Sequence, residues 1–221
     1  MNADSNYSEL EELSRRGRWL VLSTVAGSGA GHVGGPMSAM DLLISLFFRG
    51  MDIRPEEPNW TERGQRKQQR FHTFVMIGDG ELQEGMVWEA LHVAPRYQLG
   101  NLTAILDSNG LQQFGWLKQQ DGDGREDRRD PWNNVDLAAI FADLGWRVAK
   151  IDGHRFEEII PAIQESKTQP LVGRPTMILA RTLKGKGLSF TEGKFEWHSK
   201  VANQSELDLA RRELQIVEAA K

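Results

Sequence analysis

Two short segments hold the residues with which this chain could do chemistry. Gly78-Asp79-Gly80 follows the apolar run Thr73-Phe74-Val75-Met76-Ile77, and a second run, Leu102-Thr103-Ala104-Ile105-Leu106-Asp107, ends at Ser108-Asn109-Gly110. Both runs are apolar and partly β-branched, so they read as buried strands. Each motif then sits at the carboxyl end of its strand, where open α/β sheets bind ligands. Neighbouring strand ends would offer one carboxylate and one amide oxygen to a common point. Hard cations such as Mg²⁺ take oxygen ligands, often one or two from protein and the rest from phosphate and water. The glycines let main chain approach a phosphate closely. The tripeptide alone is equally an ordinary turn after a strand.

Other chemistry-bearing residues lie outside these two turns. Glu84 and Glu89 fall near the start of the next helix, close to its positive end, and read either as functional carboxylates or as solvated helix glutamates. His32 sits in the glycine-rich stretch Gly27-Ser28-Gly29-Ala30-Gly31-His32-Val33-Gly34-Gly35-Pro36, and His198 follows Trp197. Histidine is a proton donor or acceptor near neutral pH, though a lone histidine is more often structural. Lys184-Gly185-Lys186-Gly187 follows a strand and reads as a lid loop or a basic turn. His72, His92 and His154 have no metal-like spacing. Asp121-Gly122-Asp123-Gly124 resembles part of a calcium loop but lacks the third acidic position and the closing glutamate, so it reads as a solvated loop.

The elements that must position these residues alternate. A helix is expected from Tyr7 to Thr24, with Leu10, Leu13, Leu20 and Val21 at helical spacing. Ser38 is expected to cap a second helix through Phe48, and a third should start near Gln83. Pro95 falls inside that third helix, where it removes the bond to Leu91 and costs about 3 kcal/mol unless the helix kinks. Further strands are expected at Arg147–Ile151 and Thr176–Ala180. Helices are expected near Asn134–Leu144, Arg155–Lys167 and Gln204–Ala220. Strands alternating with helices imply an α/β fold: a parallel sheet with helices on both faces, in one domain spanning 1–221. The charge of −4 over 221 residues suggests neither nucleic acid nor an anionic membrane as partner. With no cysteine, thiol chemistry is excluded. No apolar run reaches membrane-spanning length and the acidic start is no signal peptide, so a cytoplasmic protein is expected. Some of the seven tryptophans suit a protein–protein contact.

The wider pattern resembles the thiamine-diphosphate site of the transketolase family. It comprises Gly78-Asp79-Gly80-Glu81-Leu82-Gln83-Glu84-Gly85-Met86-Val87-Trp88-Glu89-Ala90, then Leu99-Gly100-Asn101-Leu102, then Asp107-Ser108-Asn109-Gly110-Leu111-Gln112. Lys184-Gly185-Lys186-Gly187 and Trp197-His198 follow in the family's order. The resemblance implies thiamine diphosphate with Mg²⁺ (or Ca²⁺). Asp79, Asn109 and the Leu111 carbonyl would hold the metal, with Gly78 and Gly80 beside the diphosphate. His32 and His198 would face a sugar substrate, and Glu84 and Glu89 would belong to a carboxylate chain at a subunit interface. Ala30 stands where the family has serine, and Ser199 where it has glycine.

One departure is large. Between Trp60 and Phe71 the family carries several tens of residues more, with cofactor- and substrate-contacting histidines and a glycine turn. Here only Thr61-Glu62-Arg63-Gly64-Gln65-Arg66-Lys67-Gln68-Gln69-Arg70 bridges the gap. The implied sheet is therefore trimmed by an internal deletion near 61–70, which should uncover apolar surface. The family's second domain, which supplies the glutamate acting on the aminopyrimidine ring, lies beyond Lys221. The resemblance thus implies one half of a split enzyme, completed by a C-terminal transketolase-half subunit in a heterotetramer of two of each chain. That assembly would transfer a two-carbon ketol unit between sugar phosphates. The alternative is a cofactor-deficient homologue acting by association or regulation. A third, the α chain of a 2-oxo-acid dehydrogenase, is opposed by the Leu82-Gln83 and Trp197-His198 features.

Overall fold

Four of the apolar runs form one parallel sheet. The structure, a computed structural model, describes residues 7–51, 71–111, 119–120, 126–127, 132, 135–170 and 172–216. Strands β1 (Thr73–Gly78), β2 (Leu102–Ser108), β5 (Arg147–Asp152) and β6 (Thr176–Arg181) lie in the order β1-β2-β6-β5. A small antiparallel ladder joins β3 (Gln119–Gln120) to β4 (Glu126–Asp127). In the sheet, Gly78 pairs with Asp107, Asp107 with Ala180, and Ala180 with Ile151. This register brings the residues that follow β1, β2 and β6 out along one edge.

Both faces of the sheet are covered, as continuous apolar strands require. Ile105 and Ile178 pack with α1 (Ser8–Ser28), α3 (Met40–Ser45) and α6 (Phe156–Lys167) through Leu10, Leu42, Ile159 and Ile163. Ala104, Leu106 and Met177 point the opposite way, against α4 (Gly85–Arg96) and α5 (Leu137–Asp143) through Leu91, Ala94 and Phe141. The two-residue period of the strand divides the layers. A third cluster joins α1, α2 (Gly34–Ser38) and α7 (Gln204–Glu213) through Leu22, Met37, Leu188, Trp197 and Leu214. No described helix is long and apolar enough to cross a membrane.

Among the described residues β1 is an edge strand. The five inner residues of β2 are buried, whereas Val75 of β1 is 41% exposed and Phe71 ahead of it 64%. Both are apolar side chains left exposed on or just ahead of β1. The segment 61–70 itself, Trp60 and the Asp121–Gly124 loop lie outside the described residues.

The strands fall where the apolar runs place them, but four helices differ, and the one expected from Gln204 to Ala220 ends at Glu213. The helix from Tyr7 runs past Thr24 to Ser28 and stops where Gly29 turns left-handed at φ 70°. Ser38 does not cap the helix expected through Phe48. It ends α2, and the chain continues through α3 into a π turn over Leu46–Gly50. Its single hydroxyl proton lies between the Asp107 carboxylate at 2.6 Å and the Gly35 carbonyl at 2.8 Å, and the charge-assisted bond to the carboxylate is the stronger. The helix expected near Asn134 begins at Leu137, where Asp136 accepts the Ala139 amide at 3.1 Å.

Pro95 stays inside α4, near its end. It has no amide to give the Leu91 carbonyl, and Trp146 supplies the donor: its Nε1 reaches that carbonyl at 2.8 Å. Trp146 is buried, so the bond is shielded from water. Trp146→Phe is expected to cost about 2–3 kcal/mol in urea unfolding. In a Pro95→Ala background, which restores the backbone donor, that cost should fall by about 1 kcal/mol. An unchanged cost would mean that packing alone holds Trp146.

Candidate functional site

At the carboxyl edge the first two strand ends are tied together. Asp79 is 3% exposed and its Oδ2 accepts the Gly110 amide at 2.5 Å. Its own amide donates to the Asp107 carbonyl at 3.3 Å, and Trp132 Nε1 donates to the Asp79 carbonyl at 2.9 Å. Gly78 donates its amide to Glu81 Oε2 at 2.6 Å, and Gly80 leads into the 3₁₀ turn Glu81–Gln83. Asn109 Oδ1 accepts from the Leu111 amide at 3.0 Å, while Asn109 Nδ2 donates to Asp107 Oδ2 at 3.3 Å. Gly110 makes this turn with φ 72°, a conformation that favours glycine. The Gly110 and Leu111 amides thus tie Asp79 and Asn109 to one short turn at the strand edge.

Lys184 is neither lid nor solvated turn. It is 2% exposed, and its Nζ donates to the Leu111 carbonyl at 3.1 Å and lies 3.2 Å from His198 Nδ1. Burial pulls its pKa below the usual lysine value, against the opposing fields of Asp79 and Asp107. Two glycines make the turn that delivers it. Gly185 has φ 75° and a side chain there would run into the Thr191 carbonyl; Gly187 has φ 103° and sits on the Arg18 stem. The Asp79 carboxylate, the Asn109 amide oxygen and the Leu111 carbonyl are all hard oxygen donors, and an ammonium already rests on the last of them. The residues present thus fit a divalent cation with an anionic ligand beside it.

The two histidines converge on this lysine. Gly185 donates its amide to the Gly34 carbonyl at 3.1 Å, and Val33 donates to the His198 carbonyl at 3.1 Å. These bonds stitch the glycine-rich loop to the turns at 184 and 198. His32 and His198 consequently stack with ring centroids 4.4 Å apart, His32 exposed and His198 half-buried. Burial lowers the His198 pKa, and the Lys184 ammonium and His32 lower it further.

Glu84 and Glu89 stand apart from this cluster. Glu84 is the N-cap residue of α4 and Glu89 lies within it; both are exposed. Among the described residues neither side chain makes a hydrogen bond or ion pair.

Asp107 and Lys184 are the residues that sequence reasoning undervalued. Asp107 is buried and accepts from Ser38, Asn109 and the Thr182 hydroxyl. Lys184 follows β6 closely, and strand order alone would have placed it beside Asp79 had the β2–β6 pairing been known.

A parallel α/β sheet that gathers these groups on its carboxyl edge defines a ligand-binding domain of the doubly covered class. The chain belongs to the transketolase family: residues 65–220 match the family described as "Transketolase, thiamine diphosphate binding domain". It is 28% identical to the 6-deoxy-6-sulfo-D-fructose transketolase subunit SqwG of Clostridium sp. (strain MSTE9), over 82% of this chain and 87% of that one. Human transketolase is 37% identical over 59% of this chain, but only 18% of that enzyme is matched. A transketolase structure from Pichia stipitis shares the fold, with TM-score 0.77 and 18% identity, over 94% of this chain and 41% of that one. The alignment with SqwG runs over 253 positions, more than this chain contains. The relative thus has residues without counterpart here, consistent with the shortened segment.

The charged form of His198 is disfavoured in the folded chain. As pH falls through the ordinary histidine range, the unfolded chain takes up a proton that the folded chain resists, so this group's contribution to stability declines. The His198 ring signals of the metal-free chain should titrate below the usual histidine midpoint, and Lys184→Met should move that midpoint upward. No movement would mean that Lys184 does not face the ring.

Proposed function

We propose that this chain is the diphosphate-binding, N-terminal-type subunit of a split transketolase. The observation that carries the reading is the meeting of Asp79, Asn109, Leu111 and Lys184 on one strand edge, with His32 and His198 stacked beside them. Asp79, Asn109 and the Leu111 carbonyl would hold Mg²⁺ (or Ca²⁺) on the diphosphate of thiamine diphosphate. Gly78 and Gly80 would let main chain approach that diphosphate, and Lys184 would help balance its charge. When bound, the cofactor supplies a carbanion nucleophile and the electron sink that permits carbon–carbon cleavage.

The remaining work falls to this chain's own groups. Lys184 donates toward His198 Nδ1, which leaves the ring proton on Nε2. His198 would offer that proton to a substrate hydroxyl, and the exposed His32 would bind a neighbouring one. Glu84 and Glu89, exposed on α4, would serve a subunit contact. The aminopyrimidine end of the cofactor calls for a second polypeptide. The name of SqwG as a subunit, and its match over most of its own length, support a C-terminal-half partner. We place the pair in the cytoplasm as a heterotetramer with two copies of each chain, transferring two-carbon ketol units between sugar phosphates.

The shortened segment at 61–70 favours a second reading, in which the fold persists without cofactor affinity and the chain acts by association or regulation. Calorimetric titration of thiamine diphosphate with Mg²⁺ into the chain and its C-terminal partner separates the two. Saturable binding, weakened more than tenfold by Asp79→Ala, is expected; removing a direct ligand should cost at least the tenfold typical of a ligand's outer partner. No binding by the assembled pair would leave the second reading.

A further inference from the structure

The turn that carries Lys184 is held by a buried ionic cluster away from the candidate site. Arg18 of α1 and Asp41 of α3 form a bidentate pair, Nη1 to Oδ1 at 3.2 Å and Nη2 to Oδ2 at 2.7 Å. Both side chains are 7% exposed. His154, in the loop between β5 and α6, donates from Nδ1 to Asp41 Oδ2 at 2.8 Å. Its Nε2 accepts the Leu183 amide at 2.8 Å. Both ring nitrogens are therefore engaged, one as donor and one as acceptor, which defines the neutral tautomer. Burial pushes the Asp41 carboxyl up, but the bond from His154 and the Arg18 guanidinium outweigh it and hold the group below the usual carboxylate range.

The position of this cluster gives it a role beyond packing. Leu183 immediately precedes Lys184, so the bond to His154 fixes the peptide from which the buried lysine departs. At the other end of the turn, a side chain on Gly187 would lie 2.7 Å from the Arg18 Cδ. The cluster thus touches the turn at both ends, by a hydrogen bond at Leu183 and by close approach of the Arg18 stem at Gly187. The His154 loop is itself fastened to β6, through the Gly153 amide to the Arg181 carbonyl at 2.8 Å.

We infer that His154 is a positioning residue for the diphosphate end of the site: through the Leu183 amide it sets where Lys184 presents its charge. This rests on the reading given under Proposed function. The test uses two amides that each replace half of the imidazole. His154→Asn places an amide near Nδ1 and keeps the bond to Asp41; His154→Gln reaches the place of Nε2 and keeps an acceptor for Leu183. Hydrogen exchange of the 183–187 amides in the cofactor-free chain, and thiamine diphosphate affinity of the partner complex, are read on both variants with their melting temperatures.

The Asn variant should exchange about tenfold faster at Leu183 and bind about tenfold more weakly, while Gln stays near the natural protein in both. Equal changes in the two variants that follow their melting temperatures would overturn the inference, as would an Asn variant that behaves like the natural protein. If the natural complex binds no thiamine diphosphate, the functional reading fails and the exchange data still decide the positioning role. Should His154→Asn unfold, the nitrogen spectrum of the natural chain decides. A Leu183 amide proton coupled to His154 Nε2 is expected, and an Nε2-protonated ring would overturn the proposal.

Discussion

A lysine that is 2% exposed constrains everything around the carboxyl edge of this sheet. Removing an ammonium from water is costly unless opposite charge and good acceptors surround it. Here the opposite charge comes from Asp79 and Asp107, and the acceptors from the Leu111 carbonyl and His198. The two aspartates follow from the register of β1 on β2, where Gly78 pairs with Asp107 and Asp79 comes next. The lysine follows from β6 pairing with β2 on the other side. Shifting either pairing by one residue would turn the strand faces over and separate the charges. Strand register brings the strand ends together, and the turns that leave them deliver the side chains.

The same constraint explains the glycines. The chain must leave β6 and deliver a long side chain inward within a few residues. Gly185 and Gly187 adopt positive φ where a side chain would strike Thr191 or Arg18. Gly34 faces the Lys184 stem, with a would-be Cβ 3.0 Å from its Cγ and Cε. Close approach from both sides excludes water from the stem, and this burial lowers the lysine pKa.

Much of this was legible in the sequence, and the boundary is physical. Strands read well because β2 and β6 are apolar on both faces, a signal that depends on local composition alone. That the Asp79 and Asn109-Gly110 turns lie at neighbouring strand ends read well because adjacent parallel strands end on the same side. What did not read depends on contacts distant along the chain. Ser38 has the chemistry of a helix cap, and only the approach of Asp107 redirects its hydroxyl. Pro95 was marked as a defect, and its remedy is an indole on another element. His154 was set aside for lacking metal-like spacing, yet its partners are Asp41 and a main-chain amide. Lys184 reads as part of a lid loop or a basic turn, and its burial depends on strand ends and glycines that local sequence does not bring together. In each case residue type gave the capacity for a bond, and the fold chose the partner.

The sheet is not closed equally on all sides. The bonds joining Asp79, Asn109, Leu111, Lys184, His198 and the glycine-rich loop all lie within residues 31–35, 78–111 and 183–198. Each of these bonds joins described residues on the carboxyl edge of the sheet. The outer side of β1 is the free edge among the described residues, and its Val75 remains partly exposed. An apolar edge strand is a liability unless something covers it. Among the described residues the bonded strand edge and the open flank of β1 are thus two distinct regions of the sheet, one closed by its own hydrogen bonds and the other left apolar.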